Sequence, residues 1–164
     1  MYQLAIRQFA HTLKNLDTIL GKAVSHAEAK KFDVNNFCTS RVFPDMLPFP
    51  VQIRIATDQA KSAAANLSGK EAPKHEDTEK TFEELKARIA KTIAFIDGIK
   101  AAQVDGSEEK DILMKLQGRD VTFKGMQYLL GFAYPNFYFH VTTAYDILRH
   151  NGVELSKRDF VGTP

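Results

Sequence analysis

The sequence contains one cysteine, Cys38, in 164 residues, which excludes an internal disulfide and any cysteine-based zinc cluster. No base neighbours that thiol in sequence, so Cys38 reads as a bland residue of a connecting segment rather than a nucleophile. Neither sign of charge is in excess: Lys and Arg number 22 against 20 Asp and Glu, a formal net charge of +2. The basic residues are scattered among acids, which argues against nucleic acid as a partner, because that requires a concentrated basic face. No window approaches the run of about 18 apolar residues that a membrane span needs. The first residues, Met1-Tyr-Gln-Leu-Ala-Ile-Arg-Gln8, lack the charged-then-apolar order of a signal peptide. The expected protein touches no membrane and resides in the cytoplasm.

What is present is globular: 44% hydrophobic and 26% charged residues, in a chain long enough to bury a core as one domain over 1–164. Tyr2, Ile6, Phe9, Leu13, Leu16, Leu20, Ala23 and Ala27 recur at alternating spacings of four and three, one amphipathic helix ending near Lys30 or Lys31. His11 and His26 fall off that stripe and read as exposed. A proline-containing connector, Phe32 to Pro50, packs its apolar residues over an end of the bundle, with a helical turn around Val34 to Thr39. The second helix spans about Val51 to Leu67 on a seam of Ile53, Ala56, Ala60, Ala63 and Leu67, with Gly69 as its stop. Asp58, three residues before Lys61, reads as half of an exposed helical ion pair.

Asp77 or Thr78 is expected to cap a third helix whose buried face is Phe82, Leu85, Ile89, Ile93, Ile96 and Ile99; His75 sits alone in the preceding loop. From Asp105 the period changes to two. Ile112, Met114 and Leu116, a turn at Gln117-Gly-Arg-Asp120 and the run Val121-Thr-Phe123 predict a β-hairpin lying against the bundle. The fourth helix runs from Gly125 to about His150 with Met126, Leu130, Ala133, Phe137, His140, Ala144 and Ile147 on its seam. Pro135 within it is expected to bend or break it locally. The tail, Val153 to Pro164, is expected to lie irregularly on the surface. The fold class is therefore all-α: a four-helix bundle with a small hairpin between helices three and four.

Chemistry is hinted at only in the fourth helix. Asn136 and His140 stand four apart, so their side chains project from one side, with His140 in the apolar stripe. A core histidine must find a partner, since an unpaired buried polar group costs about 1–3 kcal/mol. Asn136, Tyr138 or Tyr145 are the expected partners, and the same pair could line a small-ligand site in the bundle.

The stretches Arg54-Ile-Ala-Thr-Asp58-Gln-Ala-Lys61, Arg88-Ile-Ala-Lys-Thr92 and Pro135-Asn-Phe-Tyr-Phe-His-Val-Thr-Thr-Ala-Tyr145, with Lys157-Arg-Asp-Phe160, resemble an uncharacterised bacterial family related to the DinB/YfiT-like bundles. The resemblance covers essentially the whole chain. It implies an up-down-down-up bundle, often a homodimer, from a superfamily that includes metal-dependent thiol transferases and a maleylpyruvate isomerase. That superfamily's metal site uses a histidine in helix two, in a His-x-x-Asp pattern, and a HxxxH pair in helix four. Carried over, Asp58 matches the acidic position and puts Ile55 where the histidine belongs; His140 matches the second histidine of the pair and Asn136 replaces the first. One imidazole does not hold zinc or nickel. The expectation is a metal-free bundle that binds a small molecule or acts as a structural or interaction protein. The alternative is a thiol-transferase-type enzyme with Zn or Ni in a rearranged site of His140, Asn136 and Asp58.

Overall fold

A computed structural model describes residues 1–163 as one helical bundle with a small antiparallel hairpin. The order is a π-helical turn (Gln3–Arg7), α1 (Gln8–Lys30), a 3₁₀ turn (Val34–Thr39), α2 (Phe49–Ser68) and α3 (Phe82–Asp97). Short turns at Ala101–Gln103 and Ser107–Glu109 then lead to β1 (Asp111–Leu116) and β2 (Arg119–Lys124). The fourth long helix is built in three pieces: α4 (Gly125–Tyr128), a π-helical segment (Leu129–Ala133) and α5 (Tyr134–His150). A last helix, α6 (Lys157–Val161), closes the chain.

The seven-residue seam of the first helix packs as its spacing predicts: Ile6, Phe9, Leu13, Leu16, Leu20, Ala23 and Ala27 are buried, with Tyr2 at the rim. The small-residue seam of α2 is buried throughout, and it lets α3 and α5 approach closely on either side. Phe49 and Phe82, the first residues of α2 and α3, stack at 5.1 Å, while Lys70 at the end of α2 donates to the Gly98 carbonyl that ends α3. The connection 69–81 therefore runs back along the bundle. Gln52 meets His140 and Asn66 meets Tyr128, so α2 and the fourth helix run in opposite directions.

Three boundaries differ from the sequence reading, each for a local reason. α2 begins at Phe49, because Pro50 lies in the first turn, where a missing N–H breaks no helical bond. The cap of α3 is Thr81 rather than Asp77 or Thr78. Its hydroxyl accepts from Glu84 N (3.2 Å) while Glu84 accepts from Thr81 N (3.0 Å), and Asp77 is held instead by Arg88. Thr81→Ala should cost about 1 kcal/mol in urea unfolding. The tail is not irregular throughout: Ser156 and Asp159 form a second capping box that starts α6 on the flank of α1, where Asn15 donates to the carbonyls of Phe160 and Val161. Pro164 lies outside the described residues.

The hairpin matches its pattern. Gln117 and Gly118 both take positive φ (51° and 80°), the two-residue turn that suits strand twist, so Arg119 and Asp120 belong to β2. Ile112 is buried and Met114 and Phe123 pack against the core, while Leu113 faces outward.

Pro135 acts through the π segment just before it. Its ring removes one backbone donor and crowds the carbonyl four residues back, and the wider turn over Leu129–Ala133 accommodates both. The buried face keeps Ala133, Phe137, Ala144 and Ile147 of the expected seam and departs from it at two places, in opposite directions. Leu129 is buried where the uninterrupted period placed Leu130, which is exposed, and Val141 enters the core where His140 was expected.

Candidate functional site

His140 sits on the flank of α5, half-buried, facing α2. Its Nδ1 lies 2.7 Å from Oε1 of Gln52, which is itself 1% exposed, and Gln52 Nε2 donates to the Leu47 carbonyl at 2.9 Å. That second bond fixes the amide orientation. Since Oε1 can only accept, Nδ1 carries the proton and Nε2 is left with a lone pair and no hydrogen-bond partner among the described residues. Burial pushes the His140 pKa below its ordinary 6.5, so the ring is neutral at pH 7.

The partner expected for His140 is not the one observed. Asn136 is half-buried and donates to the Phe132 carbonyl at 2.7 Å. Tyr138 turns toward α1 and accepts from Gln8 Nε2 at 2.8 Å, and Tyr145 packs edge-on against Phe160. Gln52 was legible only as a polar residue beside the α2 seam, because the loop carbonyl that holds its amide is a tertiary contact.

Asp58 belongs to a different place. It lies six residues beyond Gln52, which on a helix is about 9 Å along the axis and about 120° around it, toward α3. There Arg88, 2% exposed, forms the hub of a charged network. Its Nε donates to Thr57 Oγ1 (2.8 Å), one terminal nitrogen contacts Asp77 (2.7 Å) and Glu79 (2.9 Å), and the other contacts Asp58 (2.9 Å) and the Arg54 carbonyl (3.5 Å). Four hydrogen bonds thus leave the guanidinium, to Thr57, Asp77, Glu79 and the Arg54 carbonyl, with Asp58 in charge contact beside them. Arg54 binds Glu79 through both its side chain (3.1 Å) and the Glu79 carbonyl. The predicted Asp58–Lys61 pair exists at 2.7 Å but is not exposed, Lys61 being 7% exposed. The signal for this network was Arg88 itself, three residues after Leu85 and hence within the apolar face of α3. His11, read as exposed, is half-buried and bonds the Val161 carbonyl at 2.8 Å.

The candidate ligands of the sequence reading are thus divided between two sites. Ile55 offers no lone pair, Asn136 is engaged by backbone, and Asp58 is neutralised by Arg88 and Lys61. Among the described residues no three His, Cys, Asp or Glu side chains converge in a way that could hold a metal ion. One imidazole and an amide do not fit zinc or nickel.

The sequence model of a family described as "Domain of unknown function (DUF1993)" matches residues 1–161. The chain belongs to the DUF1993 family. A DinB family member protein from Shewanella denitrificans, solved by crystallography, is 41% identical over 99% of this chain and 92% of its own, with a TM-score of 0.91. A search of curated proteins returns no match. The likeness extends from the π turn before α1 to α6, so this DUF1993 chain shares the DinB-like helical fold as a whole. No helix is long and apolar enough to cross a membrane among the described residues.

The neutral state of His140 has a measurable consequence. Its folded pKa is depressed, so between the unfolded value near 6.5 and the lower folded value the unfolded chain binds the proton more tightly. The stability contributed by His140 is complete above 6.5 and is lost as pH falls through that window. His75 is shifted in the same direction, by burial first and then by Lys61 and Arg88. Urea unfolding at pH 7.5 and 5.5 should show His140→Gln losing less stability on acidification than the wild type. An equal loss in both would remove His140 from the account.

Proposed function

We propose that this DUF1993 protein is a metal-free small-ligand-binding bundle in which His140 is the recognition group. The observation that supports it is the chain Leu47 carbonyl–Gln52–His140, which holds the imidazole neutral and in one tautomer, with the Nε2 lone pair unpaired. Such a group accepts a hydrogen bond from a ligand O–H or N–H. On the adjoining side of α5, one residue along from His140 and not lined by it, Val42, Met46, Pro135, Tyr138 and Phe139 help to line a mainly apolar groove of about 460 Å³, with Thr142 and Asp146 at its polar edge. The ligand class that suits these surroundings is an apolar molecule with one hydrogen-bond donor.

The bundle is read as up-down-down-up, supported by the Phe49–Phe82 stack at the common start of α2 and α3 and by the opposed pairing of α2 with α5. It is also read as a homodimer. Val42, Phe43, Leu47 and Phe139 are large apolar residues between 43% and 63% exposed around the connector and α5, more than a monomer usually leaves clustered in water.

Protein purified without an affinity tag and labelled with ¹⁵N on histidine tests the reading. The spectrum should show His140 neutral with the proton on Nδ1, and metal analysis should find zinc and nickel far below one per chain. Stoichiometric metal that disappears in His140→Ala would overturn the proposal and restore the transferase-type alternative. Light scattering tests the dimer, with Phe139→Asp expected to give monomers.

A further inference from the structure

A second cavity, of about 380 Å³, opens between the connection 69–81 and the outer side of α3, with Lys74, His75, Glu76, Glu84 and Lys91 on its wall. It lies over the Arg88 network, far along α2 from Gln52. The His75 side chain is 9% exposed although it belongs to a loop. Its Nδ1 is enclosed and has no hydrogen-bond partner, and the nearest acceptor is Asp58 Oδ1 at 3.7 Å. Asp58 Oδ1 is also enclosed; Lys61 stands 2.7 Å from it, in charge contact but without hydrogen-bond alignment. A carboxylate oxygen can only accept, so it favours the tautomer with the proton on Nδ1. Nε2 is then the atom with a free lone pair, on a side chain that lines the cavity.

The charges around that atom are of both signs and are open to a ligand. Arg88 and Glu79 also line the cavity and neutralise one another. Lys74, Lys91 and Glu76 have no ion-pair partner among the described residues, and Glu84 caps α3 through one oxygen, Oε2, which leaves the other free. A site for a simple anion would not place two glutamates beside its two lysines, and an apolar ligand would find too little hydrocarbon. A small zwitterion satisfies both signs, and a hydroxyl on it satisfies the imidazole.

We propose that this cavity, built from His75 on the 69–81 connection and Lys91, Glu84 and their neighbours on α3 and the loop, binds a small zwitterionic ligand of the amino-acid type carrying a hydrogen-bond donor. The ammonium faces Glu76 and Glu84, the carboxylate faces Lys74 and Lys91, and the donor reaches Nε2 of His75.

The full chain, labelled with ¹⁵N, is titrated separately with L-serine, with acetate and with methylammonium while the His75 ring and the amides of 74–79 and 87–91 are observed. L-Serine should shift these signals along a saturating curve, and neither single-charge probe should do so. Lys91→Ala, a change at an exposed residue that leaves the fold intact, should weaken L-serine about tenfold. His75→Leu should do the same. Saturation by acetate alone would overturn the zwitterion assignment. An absence of saturable shifts with L-serine in a chain whose amide spectrum is otherwise native would overturn the site. Because His140 reports independently in the same spectra, failure here leaves the reading of that residue untouched.

Discussion

Replacing Arg88 by methionine is expected to cost about 3–5 kcal/mol, the range found when one partner of a buried charge network is removed. Methionine preserves much of the volume of the arginine stem, so the loss reports on charge rather than on packing. Asp58, Thr57 and Glu79 would lose their shared donor, and Asp58 Oδ2 would face the α2–α3 interface with only Lys61 nearby to balance its carboxylate. The connection 69–81 would lose the contact that holds Asp77 and one of those that hold Glu79, which keeps Arg54. Arg88→Lys should recover only part of the stability, because a single ammonium cannot present five donors in a planar fork. Equilibrium urea unfolding gives the magnitude, and hydrogen exchange gives the location, with the amides of 74–81 becoming exposed first. Loss of less than about 1 kcal/mol in Arg88→Met would show that water replaces the guanidinium and that the network is not a structural hub.

The second large effect is expected at Gly125, the first residue of α4. A Cβ built there would stand 1.9 Å from the Ser107 carbonyl oxygen and 3.3 Å from Leu67 Cδ2. The first of these is a backbone atom of the turn that precedes the hairpin, so it cannot swing aside as a side-chain tip would. Gly125→Ala should therefore destabilise by about 3 kcal/mol or more, at the top of the range for overpacking. The damage should appear as loosening of the Ser107–Glu109 turn against α4. Gly131 is the control, because a Cβ there meets nothing within 4 Å outside its own helix, and Gly131→Ala should be neutral or slightly stabilising. Equal stability of the two variants would mean that the hairpin and its turn shift freely on the bundle.

Much of this architecture was legible because it follows from period. The α2 seam is buried in full and that of the first helix in all but Tyr2, and the alternation around Gln117-Gly118 identifies the hairpin, since burying one face of a helix or strand demands those spacings. The errors lie where a local rule competes with a partner distant in sequence. Asp77 is a good cap, yet Arg88 claims it, and Thr81 caps α3 instead. Pro135 marks a disturbance, and the π segment that accommodates it is invisible to the period of the stripe. Between Phe137 and Ala144 the buried stripe passes through Val141 rather than His140, which lies on the flank.

The candidate site shows the same division. By itself the sequence determined that the chain is helical, where its four long helices and its hairpin lie, most of the stripe that each helix buries, and that His140 lies beside the buried face of the last long helix. Only the tertiary structure decided what His140 does there. Its partner is Gln52 from another helix, held by a loop carbonyl, and Asn136 and Asp58 are engaged elsewhere. The reason is physical: burial of an apolar stripe is encoded by spacing within one segment, whereas satisfaction of a buried polar atom depends on which donors and acceptors converge from segments far apart in the chain.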